Sequence, residues 1–534
     1  MFNFFNQKII NIKKKFQNFF FNLKMREKFI NHNKVFFPKK INNKQNIVLV
    51  ELNKFCEIHI LYSYLSNILA ERLNSKIVGY NARYFFKFKN FLIFIIKRFF
   101  NLDYFSIYRS FNVIEFFYPI KKKIVKSKID EIFQNINNKK ELMQVEISSI
   151  RIGDLLYDAY LRKYNVPTIN INNKKLVKFA YEFFSLFKFW ENYLTVNPVK
   201  AVIVGDTSYE YGIISRISIF KKIPTYIGAP TRLHCLNKNN DNIFEMKNYR
   251  EEFHSYNEKE KNIKINFAKK LVEKKFLGKR TVENLVSNLP DQQLFGDVKF
   301  NKNVIVNNKK INCLIAAHHF SDAPHAWGDL LFDDFFEWAD YLGRLSNELD
   351  YDWYIKLHPL DFKENEETIN YFLDKYKKFR LIPRNTSHSQ LISEGIDLVL
   401  TVFGTIGFEY AYYSIPVINA SLNNPHISFD FNYNPKNILD YKEAIKNFKK
   451  LNLNFDKKQF YEYYYMRYLN NFYLFPDEVL NNDKKSIYDF DEHSELVYKR
   501  WFKLFTKQEH EKLKLNINKF INTGNYRFKK DEFI

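Results

Sequence analysis

Two short segments carry side chains suited to gripping a phosphate. In Ile355-Lys356-Leu357-His358-Pro359 an extended run stops at a His-Pro corner. Proline has no amide to give to a ladder, so the strand ends there and the His358 imidazole points out of the sheet's carboxyl edge as a donor. The second segment, Leu398 to Glu409, reads as a strand, a turn of hydroxyls and glycines, and a helix. Thr401 and Thr405 supply hydroxyls, Gly404 lets the backbone turn tightly, and the free amides of a helix capped by Thr405 form an anion seat facing the same edge as His358. Glu409, one turn into that helix, suits either a ribose or base acceptor or a first-turn acid favoured by the helix dipole. The chain has only 13 glycines, so Gly395, Gly404 and Gly407 in one short stretch mark a backbone that needs them. The pattern is neither a Walker loop nor a GxGxxG fingerprint, and kinase and dehydrogenase readings lack their motifs.

A third segment, Ala317 to Asp329, is dense in His, Asp and Trp for a plain loop: it holds His318, His319, Asp322, His325 and Trp327. It follows an apolar strand and is expected to overhang a cleft, where His325 and Asp322 would meet an acceptor or a diphosphate. The alternative is a loop whose histidines and Trp327 pack at a domain junction. The spacing of His318, His319, Asp322 and His325 is not that of a standard metal site, and no metal is expected.

These segments need a scaffold, and the hydrophobic pattern supplies one. Apolar runs at Asn46 to Glu51, Lys76 to Tyr80, Ala201 to Val204 and Thr225 to Ile227 predict strands, separated by helical patterns that include Gly153 to Tyr164 and Lys175 to Leu194. From Asn312 to Asn419 five further strands alternate with four helices. Such alternation predicts α/β architecture: two Rossmann-like, doubly wound domains facing a cleft, whose ligands bind beyond the carboxyl ends of the strands. The expected division is a basic aromatic leader (1–45), a first Rossmann-like domain (46–237), a connection (238–310), a nucleotide-binding Rossmann-like domain (311–439) and a helical tail (440–534).

IKLHP together with TVFGTIGFEYAYYSIPVINAS resembles the nucleotide-binding half of two-Rossmann (GT-B) bacterial glycosyltransferases, especially capsule-polysaccharide transferases and the sialic-acid and Kdo transferases that use CMP-sugars. The resemblance covers about 110 residues by motif and the first lobe by architecture only. It implies that His358 and Pro359 hold the nucleotide's phosphate, with Thr401 and Thr405 standing where the family has serines. It further implies a nucleotide-sugar donor as substrate, no separate cofactor, and a glycan or lipid-linked acceptor. Inverting transfer needs a base for the acceptor hydroxyl, which in this group usually projects from the first lobe. Asp206, just after a strand, and Asp154, at a helix start, are the candidates, and each alternatively serves as a helix-start acid. His358, the amides near Thr405 and Arg384 would assist departure of the nucleotide phosphate. Teichoic-acid glycerophosphotransferases and sugar-nucleotide epimerases carry similar corners, so a polyol-phosphate transferase or an epimerase is the alternative, and a non-catalytic scaffold is a third reading.

Composition bounds the setting. At 534 residues the chain suits two domains. Its net charge of +24 attracts polyanions, but the lysines are spread without a nucleic-acid-binding signature, so nucleic acid is not an expected partner. Phe16, Phe19, Phe20, Phe21 and Leu23 beside Lys13, Lys14, Lys15 and Lys24 suit an anionic membrane surface, or a helix packed on the protein itself. Three scattered cysteines fit a reducing compartment, and no run approaches the ~20 apolar residues of a membrane span. A cytoplasmic protein, peripheral at the inner face of the membrane, is the expectation.

Overall fold

Strand β1 (Ile47–Glu51, IVLVE) is buried at every position, as a parallel strand covered on both faces must be. It heads a six-stranded sheet in a computed structural model that describes residues 21–38, 45–83, 104–122, 126–279, 281, 295, 303–306, 309–358, 363–474 and 496–532. After β2 (Lys76–Tyr80) and β3 (Val113–Phe117) come a two-stranded hairpin, β4 (Glu146–Ile147) with β5 (Ile150–Arg151), then β6 (Val199–Val204), β7 (Thr225–Ala229) and β8 (Arg232–Leu236). The first sheet runs β3-β2-β1-β6-β7-β8, parallel except for β8. The second is all parallel, in the order β11-β10-β9-β12-β13, from β9 (Ile311–Ala316), β10 (Tyr351–Lys356), β11 (Phe379–Leu381), β12 (Leu398–Thr401) and β13 (Val417–Asn419). The chain is thus α/β with two Rossmann-like domains and a helical C-terminal region, the GT-B-like arrangement.

Helices cover both faces of each sheet. In the first lobe, Cys56–Arg72 lies over one apolar layer, and Gly153–Tyr164 and Lys174–Val196 over the other. The strand β3 escaped the sequence pattern because it is an edge strand with Ile114 and Glu115 exposed and a register shift against β2. The stretch expected as a plain connection holds Glu258–Phe276, started by an Asn257/Glu260 capping box. Its Leu271 and Val272 belong to the same core as Phe408 and Phe460 of the second lobe.

The tail divides between the lobes. Lys457–Tyr464 packs in the second core, whereas Leu496–Leu504 and Lys507–Thr523 return to the first, where His59 Nδ1 lies 2.7 Å from Tyr498 Oη and Tyr64 Oη 3.0 Å from His510 Nδ1. The helix over residues 21–36 joins them: Phe29 is buried and stacks on Tyr498 at 4.2 Å. The described end of the leader therefore packs on the protein itself, and Phe16, Phe19, Phe20 and Lys13 to Lys15 lie outside the described residues, as does Pro359. No helix among the described residues is long and apolar enough to cross a membrane.

Gly153 sets how the short helix Lys139–Met143 meets the helix that carries Asp154 and Asp158. A Cβ there would stand 1.9 Å from the Leu142 carbonyl oxygen, a backbone atom that cannot move aside cheaply. Gly153→Ala is expected to cost about 1–3 kcal/mol. Urea denaturation measures it, and an unchanged midpoint would refute the packing argument.

Candidate functional site

In a doubly wound sheet the ligand crevice opens where neighbouring strands send their crossovers in opposite directions. Here that point lies between β1 and β6 in the first lobe and between β9 and β12 in the second.

At the first point Glu51, the last residue of β1, is 5% exposed and accepts the Gly205 amide hydrogen on Oε2 at 2.7 Å. Burial pushes its carboxyl up to about 8, and the neighbouring Asp206 carboxylate adds to the rise. Asp206 is half-buried, accepts from the Ser208 amide at 2.8 Å, and is also raised by burial, against the pull of that bond and of Arg232. Two neighbouring carboxyls therefore sit at this switch point, and Glu51 holds its proton at neutral pH. Glu51 was not among the residues singled out from the sequence; the signal was an acid closing an otherwise apolar run at the carboxyl end of the first strand.

At the second point His318, just past β9, lies with Nε2 3.2 Å from Thr401 Oγ1 at the end of β12. The same nitrogen accepts the amide hydrogens of Val402 (3.3 Å) and Phe403 (3.5 Å). The ring stacks on Phe335 at 4.6 Å, and burial lowers its pKa to about 3, so it stays neutral. Thr401 Oγ1 also accepts from Gly404, while Gly407 and Phe408 donate to the Gly404 and Thr405 carbonyls. The anion seat expected here is therefore largely closed on itself. Its helix, Ile406–Tyr412, has only 7 residues, and Thr405 stands at the cap position without a side-chain cap bond. Gly404 and Gly407 serve close approach: a Cβ would meet Thr401 Oγ1 at 2.7 Å in one case and His426 Nδ1 at 2.9 Å in the other. Glu409 is buried and bound to Lys275 Nζ at 2.8 Å, so its carboxylate already has a cation.

The donors that do face this edge come from the neighbouring strand. His358 follows β10, half-buried, and burial lowers its pKa, with the Asp322 charge opposing. A neutral imidazole meets a phosphate as a hydrogen-bond donor and not as a counter-charge. Lys356, one of the residues of the IKLHP motif, is buried; its Nζ donates to the carbonyls of Thr386 (2.8 Å) and Arg384 (3.2 Å), and burial takes its pKa down to about 8. It braces the loop bearing Arg384, whose Nη2 meets Glu366 at 3.1 Å.

The loop after β9 joins the two edges. Tyr209, three residues beyond Asp206, donates its hydroxyl to Asp322 at 2.5 Å across the lobes. His325 does not reach the open cleft. Its Nδ1 meets Asp158 at 2.6 Å and its Nε2 the Asp333 carbonyl at 3.0 Å, both buried, so the ring is spent on the lobe junction. The Asp158 carboxylate raises the His325 pKa against burial, and burial pushes Asp158 up to about 6. Asp154 is likewise spent: burial works against its charge, but Arg216, bidentate at 2.6 Å, holds the carboxyl below its usual range. A carboxylate so held is a poor base. Both line a cavity of about 410 Å³ with Asp158, Arg216, Asp241 and, next to Asp206, Thr207 and Ser208. The side chains of His318, His319, Asp322 and His325 diverge, and among the described residues no three metal-ligating groups converge.

No family model and no curated protein matches the chain. Among solved structures it is similar to the UDP-GlcNAc 2-epimerase of Neisseria meningitidis bound to UDP-GlcNAc, at 12% identity over 86% of this chain and 100% of that one, with a TM-score of 0.23. It is similar to Acinetobacter baumannii MurG at 9% identity over 76% and 83% of the two chains, TM-score 0.19. It is also similar to the wall teichoic acid polymerase TagF at 11% identity over 88% and 93%, TM-score 0.21. Likeness at these scores carries no argument about function, and the fold stands on the two parallel sheets themselves.

Proposed function

We propose that the protein is a glycosyltransferase that moves a sugar from a nucleotide-activated donor, such as a CMP-sugar, to a glycan or lipid-linked acceptor in capsule or other surface-polysaccharide synthesis. One observation carries the reading: the switch points of both sheets bear reactive groups and are tied across one cleft by Tyr209 and Asp322. In this reading the donor phosphate meets His358 and Arg384 on the second lobe, beside the closed turn at Thr401 to Thr405. Asp206, its basicity raised by burial, takes the proton of the acceptor hydroxyl as the glycosidic bond forms and the nucleotide departs. Inversion at the sugar carbon follows from a single displacement. The charge of +24 suits work at the inner, anionic face of a membrane.

The Glu51–Asp206 pair favours a second reading, a sugar-nucleotide epimerase, because returning a proton to carbon needs a carboxyl that still holds one near neutral pH, as Glu51 does. An epimerase turns over a sugar nucleotide with no acceptor present, so product analysis with the donor alone separates the two.

Thermal unfolding with CMP, CDP, UDP, GDP and CMP-Kdo tests the nucleotide site. One nucleotide is expected to raise the wild-type Tm, with the rise lost in His358→Ala. No shift with any of the five would overturn the reading and favour a non-catalytic scaffold.

A further inference from the structure

Arg232 opens β8, on the first lobe, and its charge acts on Asp206. Arg467 lies in the wide turns of Tyr465–Leu469, a π-helical stretch in the segment that packs on the second lobe. Such stretches are uncommon and concentrate at functional sites. Arg527 joins their two segments, since it forms a bridge with His234 of β8 and donates to the Met466 carbonyl beside Arg467, and the charge of Arg467 bears on Arg232 and His234. Neither has an ion-pair partner among the described residues, and the Nε of each is shut from solvent without a hydrogen bond. Arg467 has only neutral company, with Nη1 3.2 Å from Met246 Sδ and the guanidinium over the Trp327 ring at 5.5 Å. The nearby Arg527 shows how a structural arginine is treated in this protein. It binds Glu252 at 2.7 Å and the carbonyls of Met466 and Asn470.

Two cations from adjoining segments, without an ion-pair partner among the described residues and with only the Asp206 carboxylate acting on Arg232, are a charge arrangement that an anion completes. Both arginines remain partly open as residues. Trp327, under Arg467, stacks against Phe403 of the turn after β12, which places this pair beside the second switch point. His426, whose Nε2 is buried and unpartnered, lies within the field of Arg467 and against Gly407. We infer that Arg232 and Arg467 form a phosphate-binding subsite that one lobe and the other complete together, taking a phosphate or diphosphate monoester.

That chemistry belongs equally to a nucleoside diphosphate donor and to a polyprenyl-phosphate acceptor, and only this choice rests on the proposed glycosyl transfer. The test is calorimetric titration of the full chain with inorganic pyrophosphate, UDP, CDP and a short polyprenyl phosphate. Pyrophosphate is expected to bind, and Arg467→Gln and Arg232→Gln each to weaken it at least tenfold. Arg467→Lys, which keeps the charge, recovers part of the loss, and the surface variant Lys377→Gln leaves binding unchanged. Arginine-dependent binding of the nucleoside diphosphates assigns the subsite to the donor, and of the polyprenyl phosphate alone to the acceptor. Pyrophosphate binding that is absent, or the same in wild type and both Gln variants, overturns the subsite. If pyrophosphate binds through the arginines while neither a nucleotide nor the polyprenyl phosphate binds, the subsite stands and the transferase reading falls.

Discussion

Glu51→Gln is expected to stabilise the protein by up to about 5 kcal/mol at pH 9 while removing most of its activity. The stability side follows from burial. Glu51 is 5% exposed, and its carboxyl is pushed from 4.5 to about 8. Below pH 4.5 the group is protonated in both the folded and the unfolded chain, and wild type and variant should be alike. As pH rises from 4.5 to about 8 the unfolded chain loses the proton first, so the folded state's advantage drains away, at about 1.4 kcal/mol per pH unit. A glutamine carries no such penalty, and its carbonyl still accepts the Gly205 amide. Asp158, pushed up to about 6, has the same sign over a lower range and is common to both proteins. Urea denaturation at pH 5 and pH 9 should therefore show curves that coincide at the acid end and separate at the alkaline end. Parallel profiles would sink the claim. In the proposed reaction, activity should move the other way, by about 10²–10⁴-fold, because the amide could not hold or pass a proton to Asp206. A residue whose replacement strengthens the fold and disables the enzyme is one retained for chemistry.

The scaffold was legible from the residues because both sheets are parallel and covered on two faces. Their strands read as short continuous apolar runs, and β2 and β13 fall at the bounds the pattern predicts. What escaped was local: β3 is a half-exposed edge, and β8 runs antiparallel beside C-terminal residues, with Cys235 donating to the Tyr526 carbonyl. The candidate site was legible by position and not by partner. Spacing put Thr401 and Asp206 at the ends of strands that flank the switch points, and His358 at the end of the strand next to one of them. It could not show that Thr401 and His318 close the turn on themselves, that Lys275 takes Glu409, or that Arg216 takes Asp154. Those pairings join residues far apart in sequence, and only the packed fold brings them together. Glu51, Arg232 and Arg467 were hidden for the same reason, since a lone charge in an apolar run or a tyrosine-rich helix has no periodic signature.

Asp334→Ala should have the largest destabilising effect of a single truncation at the lobe junction. Its carboxylate is 0% exposed and accepts the hydroxyls of Tyr157 and Thr168 from the first lobe, each at 2.5 Å. Its other oxygen caps Phe335–Glu348 through the Glu337 amide at 2.8 Å, and Lys139 Nζ lies 3.7 Å away. Truncation leaves the Tyr157 and Thr168 hydroxyls without their acceptor, while Lys139 keeps Glu337, and it costs about 3–5 kcal/mol, of which the helix cap is about 1. Asp334→Asn keeps the cap and one acceptor but not the charge, and should cost about 1–3 kcal/mol. The two variants also separate stability from coupling. The loop from Ala317 to Asp329 and this carboxylate both tie one lobe to the other, so calorimetry of the alanine variant is expected to split a single unfolding transition into two, with the lobes melting apart. An alanine variant that melts in one transition at the wild-type temperature would mean that the junction is held elsewhere. Activity should fall with the splitting, because a cleft shared between two sheets is only as well placed as the contact that fixes their separation.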